Sequence, residues 1–312
     1  MRVAASGLSG FVGAAFGSEA RARGLDLAPL DRAALSGADD PVAFRSDDRR
    51  RLEELLEGAD AVVHMAGLAH RRGVRFEQHD AVNRLMTVRL AEAARAAGVR
   101  RFVYVSSLAV YGHFAGPRLI SARSPLAPTN AYGLSKARAE EQLAALAGKG
   151  AFEVGIVRPP LVCGAGAPGN LGALRRAIVK GLPLPGIPDN RRDLLGVRNL
   201  ASILLRLADA DLPEPVFAAP VCDGLALSTS EIIGEIARGA GRKPILVPVP
   251  IFLRGVVNRI GPLERILGPL WHSLEIDSSS TWTALGIAPQ HTTVEELRAV
   301  GVGHNARTAH DA

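Results

Sequence analysis

The chain has 312 residues, of which 47% are hydrophobic and 22% are charged, and this ordinary globular composition excludes a disordered or fibrous protein. No run of about 18 apolar residues occurs, and the N-terminus begins directly in an apolar strand pattern. We therefore expect neither a membrane span nor a signal peptide, and a cytoplasmic location. The two cysteines are too few for a disulfide framework or a thiolate metal site.

The net charge of +6 comes from arginines that are spread along the chain and mixed with acidic residues. A nucleic-acid-binding protein needs a basic stripe with aromatic or base-reading elements, and aromatic residues make up only 4% of this chain. The composition therefore favours a solvated surface with a small-molecule anion site, and no nucleic-acid partner.

The first 160 residues alternate short apolar runs with helical patterns, in lengths typical of parallel βαβ units. The patterns predict strands at 2–6, 25–30, 61–64, 102–106 and 153–157, and helices at 11–23, 51–57, 76–97 and 130–146. The sequence therefore predicts an α/β fold with an open, doubly wound parallel sheet.

After residue 158, Pro and Gly become frequent and the apolar segments shorten. Helices are predicted at 200–208 and 228–239, and a short strand at 215–219. We expect this half to form a smaller C-terminal domain that is partly interleaved with the sheet, and residues 303–312 to form a frayed tail.

The segment 250–271 is apolar with interspersed arginines, a pattern that can lie on a membrane surface. Glycines and prolines interrupt it too often for one long amphipathic helix. Packing within the second domain is the favoured interpretation, and membrane-surface contact is the alternative.

A glycine-rich turn follows the first predicted strand and opens the first predicted helix. Glycine permits a tight turn and a close approach of the backbone to a pyrophosphate, while the helix N-terminus offers free N–H groups. The predicted cofactor-binding residues of this turn are Gly7, Ser9, Gly10, Phe11, Val12 and Gly13. We therefore expect residues 1–165 to form a dinucleotide-binding Rossmann domain, with residues 196–222 returning to its sheet. Residues 166–195 and 223–302 are expected to form a substrate-binding domain.

Asp31 follows the glycine-rich turn at the end of the second predicted strand. Its carboxylate can accept hydrogen bonds from the adenosine ribose and would repel a 2′-phosphate, which favours NAD. The neighbouring Arg32 can accommodate that phosphate, so NADP stays possible.

Tyr132 and Lys136 are four residues apart on a predicted helix, so both side chains point to one face. A free tyrosine has a pKa near 10, and an ammonium roughly 4 Å away contributes about 4 kcal/mol at an effective dielectric constant of about 20. We therefore expect Lys136 to lower the pKa of Tyr132 by roughly three units at most, to a value near 7, which would make the tyrosine a general base. A serine hydroxyl at the end of strand 102–106 can hold the substrate oxygen during hydride transfer.

These motifs fall in the order and spacing of a known family. Over roughly residues 1 to 300 the chain resembles an extended short-chain dehydrogenase/reductase of the nucleotide-sugar epimerase/dehydratase group, in particular the UDP-galactose 4-epimerase-like enzymes of bacterial surface-polysaccharide gene sets. The stretches that carry the resemblance are Gly7-x-x-Gly10-x-x-Gly13, Val63-His64-Met65-Ala66-Gly67, Asn83, Val105-Ser106-Ser107, Tyr132-Gly133-Leu134-Ser135-Lys136 and Arg158-Pro159-Pro160.

The resemblance implies roles for individual residues. Ser107 would be the catalytic hydroxyl and Tyr132 the base, both touching the sugar, and Lys136 would also hold the nicotinamide ribose. The further residues implied along the cofactor are Met65, Ala66, Gly67, Asn83, Val105 and Pro159. It also implies a homodimer through two helices, one of them carrying Tyr132.

The substrate is indicated by residues later in the chain. The stretch 192–197 resembles the segment where these enzymes place an arginine on the nucleotide diphosphate, so Arg192 is the candidate and Arg191 its substitute. The resemblance of 181–185, 190–192 and 277–279 to surface-polysaccharide enzymes implies a UDP-hexose or UDP-N-acetylhexosamine.

Three functions fit these residues. The first is an NAD-dependent nucleotide-sugar 4-epimerase, and the second is an NAD(P)H-dependent reductase of a UDP-4-keto-6-deoxy sugar that uses the same trio once. The third is a non-catalytic dinucleotide sensor, which the retention of Ser107, Tyr132 and Lys136 disfavours.

We predict no metal site, because His64 and His70 have no third ligand at suitable spacing.

Overall fold

The computed structural model describes residues 1–30, 46–69, 74–112, 119–148, 151–259 and 271–303. Its strands, in chain order, are β1 Arg2–Ser6, β2 Asp26–Leu30, β3 Ala61–His64, β4 Arg101–Val105, β5 Leu119–Ile120, β6 Glu153–Arg158, β7 Val162–Cys163, β8 Leu184–Gly186, β9 Leu195–Gly196, β10 Val216–Pro220, β11 Leu246–Pro248 and β12 Glu275–Ile276.

The longer strands form one six-stranded sheet in the order β10-β6-β4-β3-β1-β2, and every pairing is parallel. The chain leaves β1 for β2 on one side and then crosses to β3 on the other, so the topological switch point lies between β1 and β3. The α/β, doubly wound Rossmann prediction is therefore confirmed. In such sheets the ligand binds beyond the carboxyl ends of the strands at the switch point.

Helices cover both faces of this sheet. In chain order, the helices are α1 Phe11–Ala22, α2 Ser46–Leu56, α3 Phe76–Asp80, α4 Met86–Ala96, α5 Ala131–Leu146, α6 Gly169–Val179, α7 Val197–Asp209, α8 Thr229–Gly239, α9 Ile251–Asn258, α10 Ser279–Leu285 and α11 Thr293–Val302. One core joins α1, α7 and α10 to the sheet, and a second core joins α2, α4 and α5 to its other face. Burial on both faces explains why the central strands are continuous apolar runs.

The helix predicted at 76–97 is interrupted by one π-helical turn, Ala81–Leu85, which joins α3 to α4. Asn83 in this turn is fully buried, and its amide group bonds both backbone groups of Leu68 and the hydroxyl of Ser135. The extra residue thus places one amide side chain between the loop after β3 and helix α5. Such π-bulges are frequent at functional sites.

A third apolar cluster lies in the C-terminal part, where α6, α8 and α11 pack together. The sequence reading missed α6 and α11, although Thr292 and Glu295 form a capping box at the start of α11. Strand β10, from the 196–222 segment, is the edge strand beside β6. The division into two domains remains a prediction, and residues 304–312 of the expected tail lie outside the described residues.

Within the described ranges, every helix is too short or too polar to cross a membrane.

Candidate active site

The glycine-rich turn is a tight backbone loop between β1 and α1. Gly7 has a φ of +78°, a left-handed value that favours glycine, and its carbonyl accepts a hydrogen bond of 2.9 Å from Gly10 N. Gly10 is the N-cap of α1 and has no side-chain cap, so the first N–H groups of the helix have no side-chain acceptor there. This is the geometry that binds a pyrophosphate group.

Two of these glycines leave no room for a side chain. A Cβ on Gly13 would lie 2.0 Å from Gly7 O, and a Cβ on Gly7 would lie 2.7 Å from Ala66 N. The turn is therefore packed backbone against backbone, with the loop after β3 directly beneath it. Ala66 and Gly7 thus meet at the switch point, as expected for a dinucleotide site.

A cleft of about 610 Å³ opens at this edge of the sheet. Its volume lies within the usual range for small-molecule and cofactor sites. Sequence-predicted residues that line it are Gly7, Gly10, Phe11, Val12, Gly13, Met65, Gly67, Val105, Ser107, Tyr132, Lys136 and Pro159. The structure thus brings the glycine-rich turn and the trio to the two walls of one cleft.

Some predicted residues lie elsewhere. Ser9 is exposed on the turn, Ala66 packs against Gly7, and Asn83 is buried behind the cleft, where it holds Leu68 and Ser135. Asp31 and Arg32 lie outside the described residues, so the preference for NAD over NADP stays a prediction from sequence.

Ser107 follows the carboxyl end of β4 and begins a 3₁₀ helix at Leu108–Tyr111. Its extended backbone is the N-cap of that helix, and its hydroxyl accepts a 3.2 Å hydrogen bond from Ala109 N. Leu108 N donates to Pro159 O at 2.9 Å, which ties this loop to the segment after β6. The catalytic serine predicted from sequence is therefore held at the cleft by two neighbouring segments.

Helix α5 brings Tyr132 and Lys136 to the same wall. Asn130 caps the helix by accepting a 2.7 Å hydrogen bond from Gly133 N. A Cβ on Gly133 would lie 2.4 Å from Ala109 O, so the first turn of α5 rests directly on the 3₁₀ helix after Ser107. This close approach sets the distance between the serine and the tyrosine.

Lys136 is buried beneath the cleft. Its Nζ donates to Val105 O at 2.9 Å and lies 4.5 Å from the centre of the Tyr104 ring. A Cβ on Gly67 would lie 3.2 Å from the same Nζ, so the ammonium also borders the loop after β3. Lys136 thus lies between the wall that carries Tyr132 and the switch point of the sheet.

The electrostatic expectation for Tyr132 needs correction. Burial raises the pKa of Tyr132 above its ordinary value, and the hydrogen bond with Ser107 lowers it only in part. Burial also lowers the pKa of Lys136 to about 7, against the opposing effect of the Glu140 carboxylate. The sequence-based expectation considered only the attraction between the two charges, at an effective dielectric constant of about 20. The cost of removing both groups from water outweighs that attraction.

A buried ion pair supports this wall from behind. Arg158 at the end of β6 donates to Glu140 at 2.7 Å and to the Tyr111 hydroxyl at 2.8 Å. The Ser106 hydroxyl also donates to Glu140. Glu140 lies one turn beyond Lys136 on α5, so the network fixes α5 to the carboxyl ends of β4 and β6. Sequence reasoning missed Glu140, although its i,i+4 position after Lys136 was visible.

The candidate diphosphate arginines are already engaged with protein atoms. Arg192 donates to His272 O at 2.8 Å, and its backbone bridges to Leu227 and Leu274. Arg191 is exposed and forms a 3.3 Å ion pair with Glu231. Neither is among the described residues that line the cleft, whereas Leu274, next to the Arg192 backbone, does line it.

His64 is a structural residue. Its ring contacts the Ser6 hydroxyl at 2.6 Å and the Thr87 hydroxyl at 2.9 Å, and burial lowers its pKa to about 3. In the described part of the chain, no group of three or more His, Cys, Asp or Glu side chains is placed to hold a metal ion. Cys163 and Cys222 are both buried free thiols.

Sequence reasoning also missed apolar residues at the far end of the cleft, which come from segments distant in sequence. They include Ala69, Leu161, Pro168, Leu200 and Leu274. No motif marks these positions, so only the tertiary structure reveals them.

The chain is similar to known proteins over most of its length. A family model described as the NAD dependent epimerase/dehydratase family matches residues 4–217. A UDP-glucose 4-epimerase from Vibrio cholerae is 34% identical over 253 residues, which is 78% of this chain and 76% of that protein.

Two solved structures extend the similarity to almost the whole chain. MoeE5 in complex with UDP-glucuronic acid and NAD has a TM-score of 0.74 and 25% identity, covering 96% of this chain and 97% of its own. RMD from Pseudomonas aeruginosa complexed with NADPH has a TM-score of 0.71 and 26% identity, with the same coverage of both chains.

Proposed function

The chain belongs to the NAD dependent epimerase/dehydratase family, and from this premise we propose that it is a 4-epimerase of a UDP-hexose or UDP-N-acetylhexosamine. Family membership makes it an NAD(P)-dependent enzyme. The observation that carries the proposal is the meeting of the glycine-rich turn with Ser107, Tyr132 and Lys136 in one cleft. The relative from Vibrio cholerae, named a UDP-glucose 4-epimerase, supports this reaction, and the UDP-sugar bound by MoeE5 supports this substrate class.

The cofactor fits the glycine-rich side of the cleft. Gly7, Gly10 and Gly13 would hold the pyrophosphate, because their backbones form a cradle that a Cβ would fill. Met65, Gly67 and Lys136 would border its remaining length. Bound NAD supplies the acceptor and donor of the hydride.

The protein residues handle the proton and the oxygen at C4 of the sugar. The Tyr132 phenolate takes the proton of the 4-hydroxyl as the C4 hydride leaves, which yields a 4-keto sugar, and it returns the proton when hydride is restored on the other face. Ser107 holds the C4 oxygen by a hydrogen bond. Burial raises the pKa of Tyr132, and the positive charge of a Lys136 ammonium would reduce the cost of forming the phenolate.

The test is to incubate the purified protein, without added cofactor, with UDP-glucose and separately with UDP-N-acetylglucosamine, and to identify products by NMR. We expect the 4-epimer of at least one substrate. Absence of any 4-epimer at high enzyme concentration would overturn the epimerase proposal. The cofactor released on denaturation identifies NAD or NADP.

A reductase of a UDP-4-keto-6-deoxy sugar is the second candidate. The observation that favours it is the similarity to a structure complexed with NADPH, a reduced cofactor. Stoichiometric loss of NAD(P)H with a 4-keto sugar, and no epimerisation of the UDP-hexoses, would establish it. The same residues act once in that case, with Tyr132 giving its proton to the C4 oxygen.

We further propose that Arg192 contacts the substrate diphosphate after leaving His272 O. The backbone of Arg192 pairs with that of Leu274, which lines the cleft, and this position supports the role. We expect Arg192→Gln to raise KM for the UDP-sugar far more than it lowers kcat, while Arg191→Gln, which alters only an exposed ion pair with Glu231, leaves KM near the wild-type value. Equal effects of the two variants would refute the assignment.

We also propose that the enzyme is cytoplasmic and homodimeric, and that it acts in polysaccharide biosynthesis. Sedimentation velocity at several concentrations measures the oligomeric state.

A further inference from the structure

Exposed apolar side chains collect on a small two-stranded sheet away from the main one. Strands β8 and β11 pair so that Leu184 opposes Leu246. We call residues 180–186 and 242–252 the ribbon surface. Its Ile251 and Phe252 side chains at the start of α9 are each 75% exposed, and Ile245 is 54% exposed.

These segments are adjacent in space as well as apolar. Leu184 N donates to Ile245 O at 2.8 Å, and Val249 N donates to Gly186 O. Leu182, just before β8, and Val247, within β11, are also about half exposed. Single exposed apolar residues are common on proteins, but a contiguous group of large ones indicates an interaction surface.

The charge of the ribbon surface has one sign. Its ionisable residues Lys180, Arg242 and Lys243 are all exposed. The two stretches of sequence that supply it, 154–188 and 236–263, contain no Asp or Glu. Asp189, which follows the first stretch, pairs with Arg254 at 2.7 Å, so its charge is compensated.

An exposed apolar surface that also carries three exposed cations complements a partner with an apolar interior and an anionic face. An anionic lipid bilayer has both properties. A nucleic acid would satisfy the cations, but it would leave Ile251 and Phe252 in water. A second protein chain would satisfy the apolar residues, but nothing on the ribbon surface supplies the negative charge that a symmetric copy would need.

We propose that the ribbon surface docks this protein reversibly on anionic lipid bilayers. Ile251 and Phe252 enter the boundary between headgroups and acyl chains, while Lys180, Arg242 and Lys243 contact lipid phosphates. This inference does not rest on the proposed reaction. It concerns where the enzyme works and adds an interaction that the cleft does not require.

The experiment is flotation of the full-length protein with vesicles of phosphatidylcholine alone and of phosphatidylcholine with phosphatidylglycerol. We expect binding to the anionic vesicles at low salt, little binding to the neutral ones, and release as the salt concentration rises. Failure to float with anionic vesicles at low salt would overturn the proposal.

A matched pair of double variants distinguishes binding by the ribbon surface from binding by the net positive charge of the protein. We expect Lys180→Gln with Lys243→Gln to weaken partitioning about 25-fold, since each lysine near an anionic surface contributes about five-fold. The control, Arg50→Gln with Arg51→Gln, removes the same charge from exposed positions on α2 and should leave partitioning nearly unchanged. Equal losses in the two double variants would show that net charge alone binds the vesicles, and would overturn the proposal.

The apolar contribution has its own pair. We expect Phe252→Ser to weaken partitioning by about ten-fold or more, whereas Val302→Ser, at a half-exposed position at the end of α11, should have little effect. All four variants should keep wild-type turnover of a soluble substrate, because none alters the cleft. If sedimentation velocity instead finds a dimer that Phe252→Ser dissociates, and no vesicle binding, the ribbon surface contacts a second copy and the lipid proposal is wrong.

Discussion

The two walls of the cleft are built in opposite ways. The wall after β1 works through missing side chains, because Gly7 and Gly13 let two backbone segments touch and leave N–H groups open to a phosphate. The wall formed by α5 works through two side chains, Tyr132 and Lys136, whose charged forms lose hydration through burial. The first wall therefore does not reduce the stability of the fold. The second wall holds groups whose charged forms are disfavoured by burial, and these groups reduce it.

The largest test of this contrast is Tyr132→Phe. The change removes only the hydroxyl that we propose exchanges a proton with the substrate, so we expect turnover to fall about 10² to 10⁴-fold. The opposite wall is unaltered, and the amount of cofactor that co-purifies should therefore stay at the wild-type level. Turnover measured by NMR and cofactor content measured by absorbance check both statements, and unchanged turnover would refute the assigned chemistry.

Glu140→Gln tests what holds the side-chain wall in place. Glu140 is buried and accepts hydrogen bonds from Arg158 and Ser106, so its loss leaves a buried guanidinium without its counter-charge. We expect the free energy of unfolding to fall by about 3 kcal/mol in urea titrations. The neighbouring Glu141→Gln changes an exposed carboxylate and should alter stability by less than about 0.5 kcal/mol. Similar values for the two variants would show that the ion pair gives no net support.

Gly13→Ala tests the backbone wall. Its new Cβ would lie 2.0 Å from Gly7 O, so the turn must open, and we expect about 2 kcal/mol of destabilisation together with loss of co-purifying cofactor. Gly17→Ala, one turn further along α1, is the matched control, because its Cβ would meet only side-chain atoms at 3.4 Å or more. Alanine is favoured over glycine inside a helix, so this control should be stabilised by up to about 1 kcal/mol. Retained cofactor in Gly13→Ala would contradict the proposed cradle.

The two walls also differ in how well sequence foretells them. The glycine-rich turn is local, so spacing along the chain nearly determines its shape, and the prediction agrees with the structure. The Tyr132–Lys136 spacing gave the right face of the right helix, but not the pKa of Tyr132. That pKa depends on burial and on the hydrogen bond with Ser107, and both Ser107 and His79, whose ring centre lies 5.8 Å from that of Tyr132, are distant in sequence.

The rest of the fold follows the same rule. The strands and helices predicted in the first 160 residues lie within five residues of their observed bounds, because each carries its own apolar period, whereas the short strand β5 was not predicted. In the C-terminal part, α6 begins directly after a run of glycines and prolines. Leu274, which lines the cleft, pairs with Arg192, a residue that is distant in sequence. Contacts of that kind have no local signature.

A last comparison separates function from stability at a single residue, Lys136. Its pKa is about 7 in the folded protein and 10.5 as its ordinary value, so the unfolded chain binds more protons between these two pH values. The stability cost of this lysine is therefore complete below pH 7 and disappears as the pH rises towards 10.5.

Lys136→Met removes that cost while it also removes the hydrogen bond to Val105 O. We expect the cofactor-free variant to be more stable than the wild type by about 2 kcal/mol at pH 8, with the gain shrinking as the pH rises to 10. Lys180→Met, at an exposed position, should show no such pH dependence. Turnover should be lost in the first variant and kept in the second. If removing Lys136 stabilises the fold and abolishes the reaction, the lysine is retained for catalysis alone. If Gly13→Ala loses both stability and cofactor, the backbone wall contributes to both the stability of the fold and the binding of the cofactor. If Lys136→Met is less stable at every pH, the ammonium is compensated in the folded protein and the contrast between the walls fails.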